Sequence, residues 1–228
     1  MIDVLLPNGQ SKKYNNPISP FEIAKEISSS LAKEALIAKV DDDLWDLNRL
    51  IHSNCKIKIL TNKDPETLSV LRHDAAHIMA EAVLELYPDT QITIGPAIEN
   101  GFYYDFYRLE SFILDDLNKI EKRMHEIVKR NEKIHRKVWK KQKAIEFFKK
   151  NGENFKVELV EEIPEEEEVT FYSQGKFIDL CRGPHFTSTS KLGHAFKLMK
   201  LAGSYWRGDS NNQTLQRYME QHFLNKKI

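Results

Sequence analysis

The chain has 228 residues, with 34 Lys and Arg balanced by 34 Asp and Glu, so overall charge gives no sign of an anionic partner. Its 41% hydrophobic content is enough for one large domain or two ordinary ones with packed cores. Two cysteines, Cys55 and Cys181, argue against a disulfide scaffold and fit a reducing compartment; no apolar run is long enough to span a membrane and the N-terminus lacks signal-peptide character, so a soluble cytoplasmic protein is expected.

Residues 1–61 read as a small unit of their own. Ile2 to Leu6 predicts a strand and Pro7-Asn8-Gly9-Gln10 a hairpin turn. Ser19-Pro20-Phe21-Glu22 has Ser at the N-cap, Pro at the first helical position and Glu at the third, a capping box. Ile23, Ala24, Ile27 and Leu31 then recur at helical spacing. Leu36 to Val40, Leu44 to Leu47 and Lys56 to Leu60 predict three further extended segments. A β-β-α-β-β order in about 60 residues describes a β-grasp, ubiquitin-like module. Cys55 is an incidental thiol in this reading.

Thr61 to Pro65 is a polar linker into a helix that carries His73 and His77 and runs to Tyr87-Pro88. Residues four apart on a helix share a face, so the two imidazoles stack one turn apart. Ile92 to Phe106 predicts two strands about the Gly95-Pro96 bend and an Asn100-Gly101 hairpin turn. Successive rings of Phe102, Tyr103 and Tyr104 point to opposite faces of a strand. Leu114 to Asn131 is an amphipathic helix with Leu117, Ile120, Met124 and Ile127 inward. Ile134 to Val138 reads as a strand, Gln142 to Lys150 as a helix stopped by Asn151-Gly152, and Lys156 to Val160 as a strand. Phe171 to Leu180 forms a hairpin leading into Cys181. Phe196 to Leu201 is a strand, and the tail to Ile228 reads as helical. The second region is therefore α+β, with an antiparallel sheet carrying the histidine helix.

Charge is unevenly spread. Lys119 to Lys150 holds 13 Lys and Arg against 4 Asp and Glu, while Glu158 to Glu168 holds seven Glu and no basic residue. The basic stretch is either a solvated helix face or a surface for a phosphate backbone.

Far downstream of the histidine helix stands Asp179-Leu180-Cys181-Arg182-Gly183-Pro184-His185. Gly183-Pro184 forbids a regular helix, so a turn brings the thiol and imidazole of Cys181 and His185 together. Two imidazoles on a helix with a thiol and an imidazole on a turn make a constellation for binding a metal or positioning a water.

These motifs, with Gly95-Pro96, Asn100-Gly101-Phe102-Tyr103-Tyr104-Asp105, Phe196-Lys197-Leu198-Met199-Lys200 and Tyr205-Trp206-Arg207-Gly208-Asp209-Ser210-Asn211-Asn212, resemble the N-terminal half of the bacterial threonyl-tRNA synthetase family over nearly the whole chain. The resemblance implies a TGS domain at 1–61, an editing domain shared in outline with the alanyl enzymes at 65–224, and the start of a linker at 225–228. The family continues into an ATP-dependent ligase domain, which uses ATP and zinc and pairs the full-length protein as a homodimer; nothing in this sequence resembles that domain, so ligase activity is not expected from this chain alone. After Leu215-Gln216-Arg217 the family's aromatic-Gly-Thr sequence is replaced by Tyr218-Met219-Glu220, which bears on the last predicted helix.

The implied activity is hydrolysis of Ser-tRNA(Thr) to serine and tRNA(Thr). A threonine pocket rejects serine by only about 1–3 kcal/mol of lost contact, so a second site that excludes the larger threonine supplies the missing accuracy. His73 or His77 would orient or activate a water, with Cys181 and His185 as the opposite wall. Lys156 matches the family's editing-site lysine and would stabilise the oxyanion or hold the ribose. Asp179, two residues before Cys181, would bind the serine amine; Gly95 belongs to the substrate pocket, and Tyr104 and Asp105 are weaker pocket candidates. Arg207 and Asp209 read better as a structural turn. No cofactor is expected for editing. Zinc held by His73, His77, Cys181 and His185 is the alternative, since the alanyl-type domains imply zinc at this pattern. Two rival functions remain: a non-catalytic tRNA-binding module with a structural zinc, and a free-standing deacylase acting in trans.

Overall fold

The computed structural model describes residues 1–98 and 101–222, the last three by their backbone only. The chain divides into two compact units, Met1–Leu71 with Gly183–Thr187, and Arg72–Arg182 with the segment from Ser188 onward.

The first unit runs β1 (Ile2–Leu5), β2 (Ser11–Tyr14), α1 (Pro20–Ile27), α2 (Ser29–Glu34), β3 (Ile37–Val40), β4 (Asp43–Trp45), β5 (Cys55–Leu60). Its sheet has the order β2-β1-β5-β3-β4, and β1 lies parallel to β5 while the other pairs are antiparallel. The capping box is formed: the Glu22 N–H donates to the Ser19 hydroxyl and the Ser19 N–H donates to the Glu22 carboxylate. Ile23 and Ala24 of α1 are fully buried and pack with Ile2, Val4, Ala38 and Ile57 from the strands. This is the β-grasp arrangement, and it follows from the alternation along β1 and the single apolar stripe of α1. The additional helix α2 is capped by Ser28, whose hydroxyl accepts from the Leu31 N–H.

The second unit takes most of α3 (Thr67–Leu86), then β6 (Gln91–Ile92), β7 (Ala97–Ile98), β8 (Gly101–Tyr107), α4 (Leu114–Arg130), β9 (His135–Trp139), α5 (Lys141–Lys150), α6 (Asn154–Glu161), β10 (Val169–Gln174), β11 (Phe177–Leu180), β12 (Phe196–Tyr205) and β13 (Thr214–His222). It is α+β, but with two antiparallel sheets rather than one: β12-β13-β8-β6 with β7 paired to β8, and β11-β10-β9. Ala75, Ala76, Ile78, Met79, Ala80, Ala82 and Val83 of α3 are all fully buried, so this helix has no solvated face along its middle. The predicted Asn100-Gly101 turn falls partly outside the described residues.

Two expectations are corrected. Lys156 lies on α6, a helix, and not on a strand. The alternation from Lys156 to Val160 is also compatible with helical spacing, and Val157 and Val160, three apart, pack with Ala144 and Phe148 of α5. The tail is strand through His222, not helix. β13 runs between β12 and β8, in register from Tyr205↔Thr214 on one side and Gln216↔Phe106 on the other, and this non-local pairing overrides local propensity. Residues 223–228 of the predicted helical tail lie outside the described residues. No helix among the described residues is long and apolar enough to cross a membrane.

Candidate active site

The second unit encloses a cavity of about 460 Å³, lined among others by His73, His77, Gly95, Tyr104, Lys156, Asp179 and Cys181. Four of its elements bring these residues together, and each does so for a local reason.

On α3 the spacing of four stacks His73 and His77, with ring centroids 4.9 Å apart. His77 is buried and meets Phe177 of β11 edge-on. The stripe continues at the same spacing with Glu81, which accepts a 2.7 Å hydrogen bond from the Gln174 amide on β10, and Glu85, which holds both Arg123 and Arg130. Cys181 continues the β10–β11 ladder: its N–H donates to the Thr170 carbonyl at 3.0 Å and its carbonyl accepts from the Thr170 hydroxyl. The strand end therefore fixes the thiol, and its sulfur lies 3.0 Å from His73 Nε2. One ligand atom from each of His73, His77 and Cys181 lies within 4.8 Å of the others, a His/Cys group that could bind a metal. His185 stands four residues on, past the cis Gly183–Pro184 bond. Its segment belongs to the first unit, where its N–H donates to the Asp46 carboxylate at 2.9 Å.

The other wall of the cavity is a buried polar cluster. Lys156 Nζ is 2.5 Å from Asp179 Oδ1, with both side chains at most 3% exposed. The Tyr104 hydroxyl donates to Asp179 Oδ2 at 2.6 Å and accepts from Lys156 at 3.3 Å. Burial, together with the Asp179 charge, pushes the Tyr104 hydroxyl well above its usual range, so the phenol stays protonated as a donor. The three side chains come from β8, α6 and β11, so a charge pair is closed inside the unit by a neutral hydroxyl. Gly95 lies against the Tyr104 ring: a Cβ there would overlap the ring carbons. The glycine is what lets the 93–96 segment lie flat on Tyr104.

Sequence reasoning missed Glu153, at the N-terminus of α6. Burial pushes it up to about 7, with Lys156 pulling it down and Asp179 pushing it up, and it accepts from the Ile92 N–H. A Glu just ahead of a helix, three residues before the site lysine, was the available signal. Also missed were Glu167, Glu168 and Arg182 at the cavity wall; the Glu run concealed its own two members. Asp105 faces elsewhere: Arg217 grips it in a bidentate pair at 2.7 and 2.8 Å. Arg207 and Asp209 form a turn, Arg207 with φ of 56° and Asp209 accepting from the Asn211 N–H.

The acidic run takes three cations of the basic stretch and two arginines from elsewhere in the chain. Arg136 pairs with Glu168, Lys141 with Glu165 and Lys149 with Glu161, while Arg182 takes Glu167 and Arg207 takes Glu158 and Glu162.

Comparison with known proteins places both regions. Residues 2–61 match the TGS domain, and residues 169–217 match the threonyl and alanyl tRNA synthetase second additional domain. Over 217 residues, 95% of this chain, the sequence is 57% identical to a threonine–tRNA ligase of Rickettsia bellii, covering 34% of that protein. Over the same length it is 56% identical to the threonine–tRNA ligase of Rickettsia akari and 55% to that of Rickettsia canadensis. The chain spans about a third of the length of these relatives.

Proposed function

The chain corresponds to the N-terminal region of the threonyl-tRNA synthetases, with their TGS domain and second additional domain, and we propose that its cavity is an editing site that hydrolyses Ser-tRNA(Thr). The observation that carries this reading is the facing of two chemistries across one cavity: the His73–Cys181 pair on one side and the buried Lys156–Asp179–Tyr104 cluster on the other.

Ester hydrolysis needs a water aimed at the carbonyl, stabilisation of the oxyanion, and a proton for the departing ribose oxygen. In this proposal His73 or His77 takes a proton from the water as it attacks. The Lys156 ammonium faces the charge that develops on the carbonyl oxygen. Asp179, fixed by Lys156 and Tyr104, is the anion for the serine amine. The C–O bond to the ribose breaks, and the proton taken from water returns to that oxygen, giving serine and tRNA(Thr). Cys181 completes the wall on the histidine side, and Gly95 sets the pocket's width through Tyr104. Threonine is excluded because its extra methyl needs room that a serine-sized pocket lacks.

We read the chemistry as water-based. The donor set of this unit also suits zinc: His73, His77 and Cys181 would hold the ion, which when bound supplies Lewis acidity or structural support. The partner is tRNA(Thr). In the full-length protein the remaining part would ligate threonine to it with ATP.

The test is deacylation of Ser-tRNA(Thr) and Thr-tRNA(Thr), each with and without a chelator. Loss of serine alone, indifferent to chelator, is the expected result. Loss abolished by chelator would move His73, His77 and Cys181 to a metal centre. Intact esters with tRNA still bound would leave a binding module and sink the hydrolase reading.

A further inference from the structure

The wall of the cavity carries an ion pair that its interior chemistry does not use. Arg182 and Glu167 both line the cavity, and the Arg182 guanidinium holds the Glu167 carboxylate at 3.1 Å. The Arg182 side chain is 85% exposed and Glu167 is 47% exposed. Glu167 lies in the loop between α6 and β10, whereas Arg182 follows immediately after Cys181. Its neighbour Glu168 is paired differently, with Arg136, whose side chain is only 21% exposed.

An exposed ion pair of this kind contributes little to stability, about 0–1 kcal/mol, so exchanging one partner costs little. A guanidinium matches a phosphodiester in the same two-point geometry that it uses for a carboxylate. An RNA 3′ end entering the cavity brings one phosphate per nucleotide past this wall, and an unpaired Glu167 there would repel it.

We propose that Arg182 is a phosphodiester-binding residue for the entering RNA strand, and that Glu167 occupies its guanidinium as an internal phosphate mimic until the RNA displaces it. The inference rests on the editing reading in that an RNA 3′ end is taken to enter this cavity. The two residues then act in opposite directions. Glu167 competes with the RNA, so removing its charge strengthens binding; removing the Arg182 charge weakens it. An ion pair that is merely structural would be broken equally by either change.

The experiment measures binding of an uncharged RNA hairpin with a single-stranded 3′ tail, by fluorescence anisotropy, to the wild-type chain, Arg182→Gln and Glu167→Gln. A blunt hairpin serves as the second probe. Arg182→Gln is expected to weaken binding of the tailed hairpin about 5- to 10-fold, and Glu167→Gln to tighten it about 2- to 5-fold, the range of a single charge-assisted contact. The blunt hairpin is expected to show neither shift. Shifts of the same sign in both variants, no shift in Arg182→Gln, or equal shifts with the blunt hairpin would overturn the proposal. Opposite shifts for the tailed hairpin, with Ser-tRNA(Thr) left intact by the wild-type chain, would retain the phosphate site and remove the hydrolase reading.

Discussion

Lys156 is buried with Asp179 as its counter-charge, and this arrangement makes it both a functional candidate and a structural liability. Removing one partner of a buried pair leaves the other charge without compensation, which costs about 3–5 kcal/mol. Lys156→Met is therefore expected to lower the stability of the second unit by that amount in denaturant unfolding. The double variant Lys156→Met with Asp179→Leu should recover much of the loss, because no unpaired charge remains; a double variant as unstable as the sum of the singles would show that the pair is not coupled. Gly95→Ala belongs at the same scale. Its methyl would overlap the Tyr104 ring, and overpacking of this kind costs about 1–3 kcal/mol. Stability unchanged by Gly95→Ala would mean that the ring moves freely, and the close-approach account of Gly95 would fail. Asp179 and Tyr104 could be named from the sequence because each sits in a recognisable motif, and Lys156 only through the family resemblance. Glu153 was missed because its sequence signal, a Glu three residues ahead of Lys156 at a helix start, exists only once Lys156 is placed on a helix rather than a strand, and what marks it in the fold is burial beside Lys156 and Asp179.

The element that matters most is α3, where the i, i+4 rule carries His73, His77, Glu81 and Glu85 along one line. Glu81 and Glu85 are driven in opposite directions. Arg130 and Arg123 hold Glu85 down to about 2, whereas burial, reinforced by Glu132, pushes Glu81 up to about 8 despite the Gln174 hydrogen bond. The consequence for stability has a definite sign. From the ordinary Glu value of 4.5 up to about 8, the folded chain keeps the Glu81 proton that the unfolded chain has lost. Stability from this group is fully present below that window and declines as pH rises through it, by at most about 1.4 kcal/mol per pH unit. Glu81→Gln should flatten the fall in thermal midpoint between pH 5 and pH 8; a wild-type slope matched by the variant would remove Glu81 as the cause. The helix and its two histidines were legible from periodicity, as were α4 and the β10–β11 hairpin. α6 and β13 were not. α6 is short enough that alternation and helical spacing coincide over five residues, and β13 is specified by partners on both sides, β12 and β8, that lie far off in sequence.

At the scale of the whole chain, the balance of 34 against 34 charges is repeated locally. The sequence left the basic stretch from Lys119 to Lys150 open between a solvated face and a phosphate-binding surface. In the fold, Arg136, Lys141 and Lys149 take Glu168, Glu165 and Glu161 from the acidic run, and Arg123 and Arg130 take Glu85. The composition could reveal both stretches but not that they meet, since pairing across 12 to 32 residues depends on how α5, α6 and β9 are laid side by side. Cations already held by carboxylates release few counterions when RNA arrives, because each must first give up its internal partner. The salt dependence of RNA binding reports how many phosphates are newly neutralised, with a slope of log K against log salt of about −0.7 per phosphate for single strands and −0.9 for duplex. For this chain the expected slope with a tailed RNA hairpin is shallow, about −1 to −3, corresponding to a few contacts near the cavity wall. A slope of about −6 or steeper would mean that the basic stretch lies along the RNA. That outcome would shift the binding surface from the cavity wall to α4 and α5, and titration at four or five salt concentrations decides between the two.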